Sequence, residues 1–223
     1  GGVAGMDPNG WTWYCNNEID ALSAGQLPKE ILWRGEVEKS GSNDREADMF
    51  PPSLYGKGRI NPTQNFVNAF PMANGYPIDN EKSGFNAANP YADRDPRLTA
   101  YVVYDGNGAG KDNTAINTTV DDSQNRDGLN NEVGSSTRTG YYMRKLLRQE
   151  INLDPSAKTT QKHYNARIRF TEIFLNYAEA ANEAWGPTGK GNHSYSAYDI
   201  IKALHERAGV GNDYLESIKN DKD

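Results

Sequence analysis

The sequence predicts a mainly α fold with extensive irregular loops and a small antiparallel β element. Three observations carry this. Two segments in the last quarter of the chain have helical apolar spacing. The stretches before them are long, polar and aperiodic, and two short runs of strand-forming residues are separated by a polar excursion.

The elements follow in order. Asp7-Pro8-Asn9-Gly10 is a turn signal ahead of the aromatic group Trp11, Trp13 and Tyr14. Ile19 to Leu27 reads as a short helix or a loop. Ile31-Leu32-Trp33, followed by Arg34, Glu36 and Val37, reads as a strand. Lys39 to Asn61 is polar, punctuated by glycine and proline, and has no periodicity of either kind, so it is taken as ordered loops lying on something else. Phe66 to Phe70 reads as a short helix ended by Pro71. Leu98 to Asp105 is the clearest strand: Leu98, Ala100, Val102 and Tyr104 alternate with Thr99, Tyr101 and Val103, and Asp105-Gly106 ends the run. Gly140 to Leu147 is its partner, across the excursion from Asn107 to Thr139.

Two helices close the chain. The first runs from about Asn165 to Trp185, with Phe170, Ile173, Phe174, Tyr177, Ala178, Ala181 and Ala184 on one stripe, and Gly186-Pro187 ends it. The second begins at Ser196, where Asp199 stands in the capping-box position. It carries Ile200, Ile201, Leu204 and Ala208 on its apolar side and stops at Gly209. Ala178, Ala181 and Ala203 at facing positions make a tight hairpin of the tetratricopeptide type. One such hairpin cannot bury its own face and needs neighbours.

Composition limits the function. At 223 residues the chain makes one large domain or two small ones and can bury about 70% of its unfolded surface. Apolar residues counted with glycine but without tyrosine reach roughly 40%, under the roughly 45–50% usual in globular domains. A net charge of −6 argues against a general nucleic-acid binder, which needs a basic face. It leaves neutral sugars open. Cys15 is the single cysteine, which excludes an intrachain disulfide and a cysteine-rich metal site. The opening Gly1 to Gly5 has no secretory signal features, and no apolar run of ~18 residues spans a membrane.

Four segments together resemble a known family. Asn61 to Met72 (NPTQNFVNAFPM) is similar to the segment of SusD/RagB proteins that enters their loop-rich half. Asn89 to Leu98 (NPYADRDPRL), leading to Tyr104-Asp105-Gly106, is similar to a second signature. Thr139 to Lys145 (TGYYMRK) resembles a third, and Arg167 to Ala180 (RIRFTEIFLNYAEA) resembles the most specific one. They stand in the family's order over about residues 30 to 210. The resemblance implies a largely helical SusD-like fold, with tetratricopeptide-like hairpins supporting a loop-rich glycan-binding half. It also implies a non-enzymatic, surface-exposed lipoprotein of the bacterial outer membrane that passes oligosaccharide or polysaccharide to a SusC-like TonB-dependent transporter. Residues 1–160 would form the loop-rich portion and residues 161–223 the hairpin, both within one SusD-like domain. The chain departs from the family pattern at both ends. Cys15 follows Thr12, Trp13 and Tyr14 rather than a lipobox, and the arginine-rich C-terminal segment is missing. It therefore reads as a fragment truncated at both ends, with any membrane attachment made through a lipid anchor outside this sequence.

A sugar ring packs its C–H face on an aromatic ring while amides, carboxylates and guanidinium groups bond its hydroxyls. Trp11, Trp13, Trp33, Tyr55 and Tyr76 lie in or beside polar loops and are the glycan-binding candidates. Each could instead pack a loop, a reading that suits Trp33 on its strand and Trp185 at its helix end best. Trp11, Trp13 and Tyr55 are preferred for binding.

Arg94 and Arg97 of the Asp95-Pro96-Arg97 region are expected to pair with loop carboxylates and hold the approach to the strand. Asp121, Ser123, Asn125 and Glu132 fall at positions 1, 3, 5 and 12 of a calcium loop, but Arg126 occupies the glycine position and no helices flank it. A solvated polar loop is the simpler reading, with calcium kept as a possible cofactor because some resembling proteins bind it. His163, His193 and His205 have no ligand-like spacing. Glu179 and Glu183 share the polar side of a helix, and no pair of carboxylates is marked out for glycoside hydrolysis. The alternatives to a glycan receptor are an interaction module that docks a protein partner without sugar, and a carbohydrate-active enzyme.

Overall fold

A computed structural model describes residues 3–10, 29–120, 123–132 and 134–221. Trp11, Trp13, Cys15 and the Ile19 to Leu27 segment lie outside the described residues. The turn before them forms as expected, with Gly10 N donating to Asp7 O at 3.0 Å and Asn9 N to Asp7 Oδ1 at 2.9 Å.

The first strand, β1 (Ile31–Arg34), pairs antiparallel with β6 (Ala166–Arg169), joining Ile31 to Arg169 and Arg34 to Ala166. The ribbon continues past β1 through Glu38 N to His163 O and Ser42 N to Gln161 O. This pairing corrects the expected helix start at Asn165. Residues Ala166–Arg169 are strand, and the long helix α4 runs Phe170–Trp185. Glu30 fixes the changeover. Its backbone O accepts from Phe170 N, and its carboxylate accepts from Thr171 N and Oγ1.

The stretch Lys39 to Asn61 contains a helix that sequence reading missed, α1 (Asp44–Met49), followed by a 3-10 turn at Pro52–Leu54. The buried residue of α1 is Glu46, so no apolar stripe marks it. The short helix near Phe66 is α2 (Gln64–Asn68), capped by the Thr63 side chain, which accepts from Phe66 N. The expected strand from Leu98 is overturned. Asp95 caps, Pro96 takes the first helical position, and α3 runs Pro96–Tyr101 before the chain becomes β2 (Val102–Val103). Leu98 and Val102, one helical turn apart, are both fully buried. The expected partner forms within Gly140 to Leu147, where β5 (Tyr142–Met143) pairs antiparallel with β2. The excursion between them carries a small hairpin, β3 (Gly108–Ala109) with β4 (Thr114–Ala115).

Helix α5 spans Ala197–Ala208. Both halves of the Ser196–Asp199 capping box form, and Gly209 closes the helix at φ 75. It packs on α4 through Ala178, Ala181, Ile200, Ala203 and Leu204. Ile173 and Ala184, expected on the inner stripe, face outward, as does Leu175. A last short helix, α6 (Asp213–Ile218), buries no residue.

The loops do not depend wholly on other elements. They close on their own small cores: Phe50 with Leu147, Ile151 and Leu153; Val103 with Ala109, Ile116 and Tyr142; and Val67 with Phe70, Leu98, Val102 and Tyr141.

A candidate binding cleft around Tyr55

After the 3-10 turn the chain reverses on Tyr55, which sits at φ 62, in the left-handed region that a residue with a Cβ adopts only when its surroundings require it. The bonds that require it are on both sides. Tyr55 N donates to Pro52 O at 2.9 Å, Gly56 N to Pro51 O at 3.1 Å, and Gly58 N to Phe50 O at 3.0 Å. Lys57 N and Arg59 N then bond Ala47 O and Asp48 O of α1. Gly56 lies so close to Phe50 that a Cβ there would collide with its carbonyl. Asp127 ties the turn from outside, its Oδ1 accepting from Ser53 N at 2.8 Å. Burial pushes the Asp127 carboxyl above its ordinary range, against the pull of the Ser53 bonds.

The reversal presents the Tyr55 ring to solvent, with 52% of the residue exposed. Beneath it lies a cleft of about 190 Å³ whose walls come from three loops: Ser53 to Tyr55, Lys111 with Asp112 and Thr114 on the β3–β4 hairpin, and Asn152 to Asp154. The Tyr55 hydroxyl reaches Asp154 Oδ2 at 3.4 Å. Asp154 Oδ1 accepts from both Ser156 N and Ser156 Oγ at 2.8 Å, and those bonds, more than Tyr55, hold its carboxyl below the usual range. It is therefore an acceptor at neutral pH; across the same cleft the Lys111 ammonium stands 3.6 Å from Asp112 Oδ1, and Asn152 Oδ1 accepts from Asp154 N at 3.0 Å. An aromatic face over short polar side chains of both hydrogen-bonding senses suits a neutral polyol.

The other aromatic candidates stand apart. Trp33 is 62% exposed on β1, a correction to its reading as a packing residue. Tyr76 packs against Tyr214 with ring centroids 5.5 Å apart. Among the described residues no ring contact joins Trp33, Tyr55 and Tyr76, so they form no common platform. Of the cleft's lining, sequence reading found Tyr55 alone. It missed Lys111, Asp112, Asn152 and Asp154, which carry no shared motif. It also missed a tyrosine group at α2 and α3: Tyr91 stacks on Tyr104 at 4.1 Å, and the Tyr141 hydroxyl bonds Gln64 at 2.9 Å.

Arg97 forms the expected carboxylate pair, gripping Asp95 at 2.6 Å, but at a helix start rather than a strand. Arg94 does not pair with a loop carboxylate; its guanidinium donates to the carbonyls of Pro90, Val67 and Phe70. Within the calcium-like loop, Asp121 and Asp122 lie outside the described residues, Arg126 pairs with Glu132 at 3.0 Å, and the Asn125 amide bonds the backbone of Asn117 and Thr119. Among the described residues no group of three or more His, Cys, Asp and Glu side chains converges as metal ligands do. Glu179 and Glu183 are exposed on α4. No described helix is long and apolar enough to cross a membrane.

The family description for SusD matches residues 29–223, nearly the whole chain. The chain belongs to the SusD family. Comparison with curated proteins finds no match. Among solved structures, this SusD-family chain is similar to a SusD-like carbohydrate binding protein from Bacteroides fragilis NCTC 9343, with TM-score 0.63 and 21% identity over 90% of this chain and 39% of that one. It is also similar to a SusD-like protein from the same strain, with TM-score 0.63 and 19% identity over 99% of this chain and 44% of that one. At such identity the likeness is one of fold. The SusD-family chain spans about two fifths of the length of these structures. Their fold agrees with the mainly α architecture, irregular loops and small antiparallel sheets described above.

Proposed function

We propose that this SusD-family chain binds a neutral oligosaccharide or polysaccharide without turning it over, with the Tyr55 cleft as the contact surface. The observation that carries the proposal is the exposed Tyr55 ring, held on a left-handed turn above a polar cleft. Membership of the family supports it, as does the carbohydrate-binding description of one structural neighbour. Trp33 is a second ring available to a sugar, whereas Tyr76 gives part of its surface to Tyr214. Residues 1–160 and 161–223 act as the loop-rich and hairpin portions of one SusD-like unit, a reading supported by the β1–β6 pairing across that division. The sugar is delivered to a SusC-like TonB-dependent transporter at the outer membrane.

Affinity electrophoresis over a polysaccharide panel tests the binding. At least one polysaccharide should retard the chain and fail to retard Tyr55→Ala. Retardation by none would refute sugar binding, and sugar released from the panel would refute the non-catalytic reading. A protein-docking role is the second reading, favoured by the exposed Ile173, Leu175 and Trp185 of α4. It predicts that substitutions there abolish transporter association and leave retardation intact.

A further inference from the structure

His163 is 1% exposed and lies between two carboxylates. Its Nδ1 is 3.1 Å from Glu38 Oε2 and its Nε2 is 3.0 Å from Glu46 Oε1. A neutral imidazole has one N–H and one lone pair, so it can donate to only one of these oxygens and turns a lone pair toward the other. With both carboxylates ionised, the imidazolium alone satisfies both contacts. Burial acts to lower the His163 pKa, but the bond and charge of Glu46 and the bond of Glu38 outweigh it and hold the group above the ordinary histidine value.

Glu46 joins this ion cluster to two of the three walls of the cleft. It belongs to α1, whose end anchors the Tyr55 turn through Phe50 N to Glu46 O, Lys57 N to Ala47 O and Arg59 N to Asp48 O. The same Oε1 that faces His163 accepts from Arg148 N at 2.8 Å, and Arg148 O accepts from Ile151 N, immediately before Asn152 to Asp154. Glu46 Oε2 is buried without a hydrogen-bond partner, so His163 supplies charge compensation that no second bond to that oxygen shares.

Arg45, on the same helix as Glu46, acts against the imidazolium, while its guanidinium bonds Leu146 O and Asn165 Oδ1. Arg148 turns its guanidinium to Glu150 and to Lys162 O. Glu38 also accepts from Ser42 Oγ at 3.2 Å.

We propose that His163 is a pH-dependent positioning residue for the Tyr55 cleft: as the imidazolium it clamps Glu38 to Glu46 and fixes the Tyr55 and Asp154 walls, and on losing its proton it releases them. The effect on sugar retention rests on the cleft being the binding surface; the effect on the walls does not. Because the folded value lies above the unfolded one, the clamp's stabilisation is complete below about pH 6.5 and is lost as pH rises through the folded value. Each unit of elevation corresponds to about tenfold in the opening equilibrium.

The test is hydrogen exchange on the intact chain from pH 6 to 9, corrected for intrinsic rates, with the His163 ring followed by NMR. Protection of residues 50–58 and 148–154 should fall together, in step with the His163 titration, while residues 197–208 on α5 stay constant. His163→Gln should show the reduced protection already at pH 6 and no pH dependence in those two segments. If the variant does not fold, the wild-type profile still decides. Protection that stays flat through the His163 titration, a His163 ring that titrates at the ordinary value, or a His163→Gln protein with the wild-type profile would overturn the proposal. None of these readouts needs a sugar, so they fail independently of the glycan reading. Where a polysaccharide does retard the chain, retardation should weaken over the same pH range.

Discussion

Replacing Tyr55 by alanine and by glycine separates the role of its ring from the cost of its backbone. Both substitutions remove the same aromatic surface, so any packing the half-exposed ring contributes is lost equally and cancels in the comparison. They differ at φ 62. Alanine must still hold its Cβ in the left-handed region, at about 1–2 kcal/mol, whereas glycine adopts it freely. Glycine gives back roughly 0.4–1 kcal/mol through its greater freedom in the unfolded chain. The glycine variant should therefore exceed the alanine variant in stability by about 1 kcal/mol, worth roughly 2–4 °C in Tm for a chain of this size. Paired urea and thermal unfolding measure that difference. Affinity electrophoresis on the same two proteins should show equal loss of polysaccharide retardation, of about tenfold or more in affinity, roughly 1.4 kcal/mol. An alanine variant as stable as the glycine one would mean the turn is not held in the left-handed region. Two variants that bind as the wild type does would remove Tyr55 from the binding surface.

Three further outcomes follow from particular contacts. Leu98→Ala empties a fully buried position between α2 and the β2–β5 pair and should cost about 2–5 kcal/mol in urea unfolding. Ser196→Ala removes one half of the α5 capping box and should cost about 1 kcal/mol, with exchange rising first at residues 197–200. Arg94→Ala leaves the Phe70 carbonyl without its donor and Val67 O with the Phe70 N bond alone, and should cost about 2 kcal/mol, with near-ultraviolet dichroism reporting loosened tyrosine packing.

What the sequence revealed and what it hid follow from how local each signal is. Helix α5 was legible to the residue because Ser196, Asp199 and Gly209 act within their own turns. The start of α4 was not, since β6 exists through its pairing with β1, and Glu30 reaches Thr171 from 141 residues away. Between Leu98 and Asp105 two local signals compete. The alternation reads as strand, but Asp95 and Pro96 start a helix, and Leu98 and Val102 are spaced for one. The family resemblance, by contrast, was legible because four segments recur in order. The cleft was legible only through Tyr55. Its other walls come from loops near residues 110 and 152: Gly110 N bonds Gln149 Oε1, and the second loop is tied through Arg148 N to Glu46, which faces a histidine 117 residues further along the chain.

The thin apolar composition and the ordered loops are reconciled by where the buried charges point. Among the described residues, most buried charged side chains serve the backbone of a distant segment. Glu30 accepts from Thr171 N, Glu46 from Arg148 N, and Asp127 from Ser53 N. Arg94 donates to Val67 O and Phe70 O, and Arg148 to Lys162 O. Irregular loops leave backbone donors and acceptors that no helix or sheet satisfies, and those groups are costly to bury unpaired. A leucine in these positions would add apolar area and leave the backbone groups unmet. Long carboxylate and guanidinium side chains reach them, which is why so much non-repetitive chain can stay fixed around small cores. The same construction sets the Tyr55 ring and the polar groups beneath it before any ligand arrives. A surface that does not have to order itself on contact gives up less of its binding free energy, and a shallow cleft with few contacts depends on that saving most.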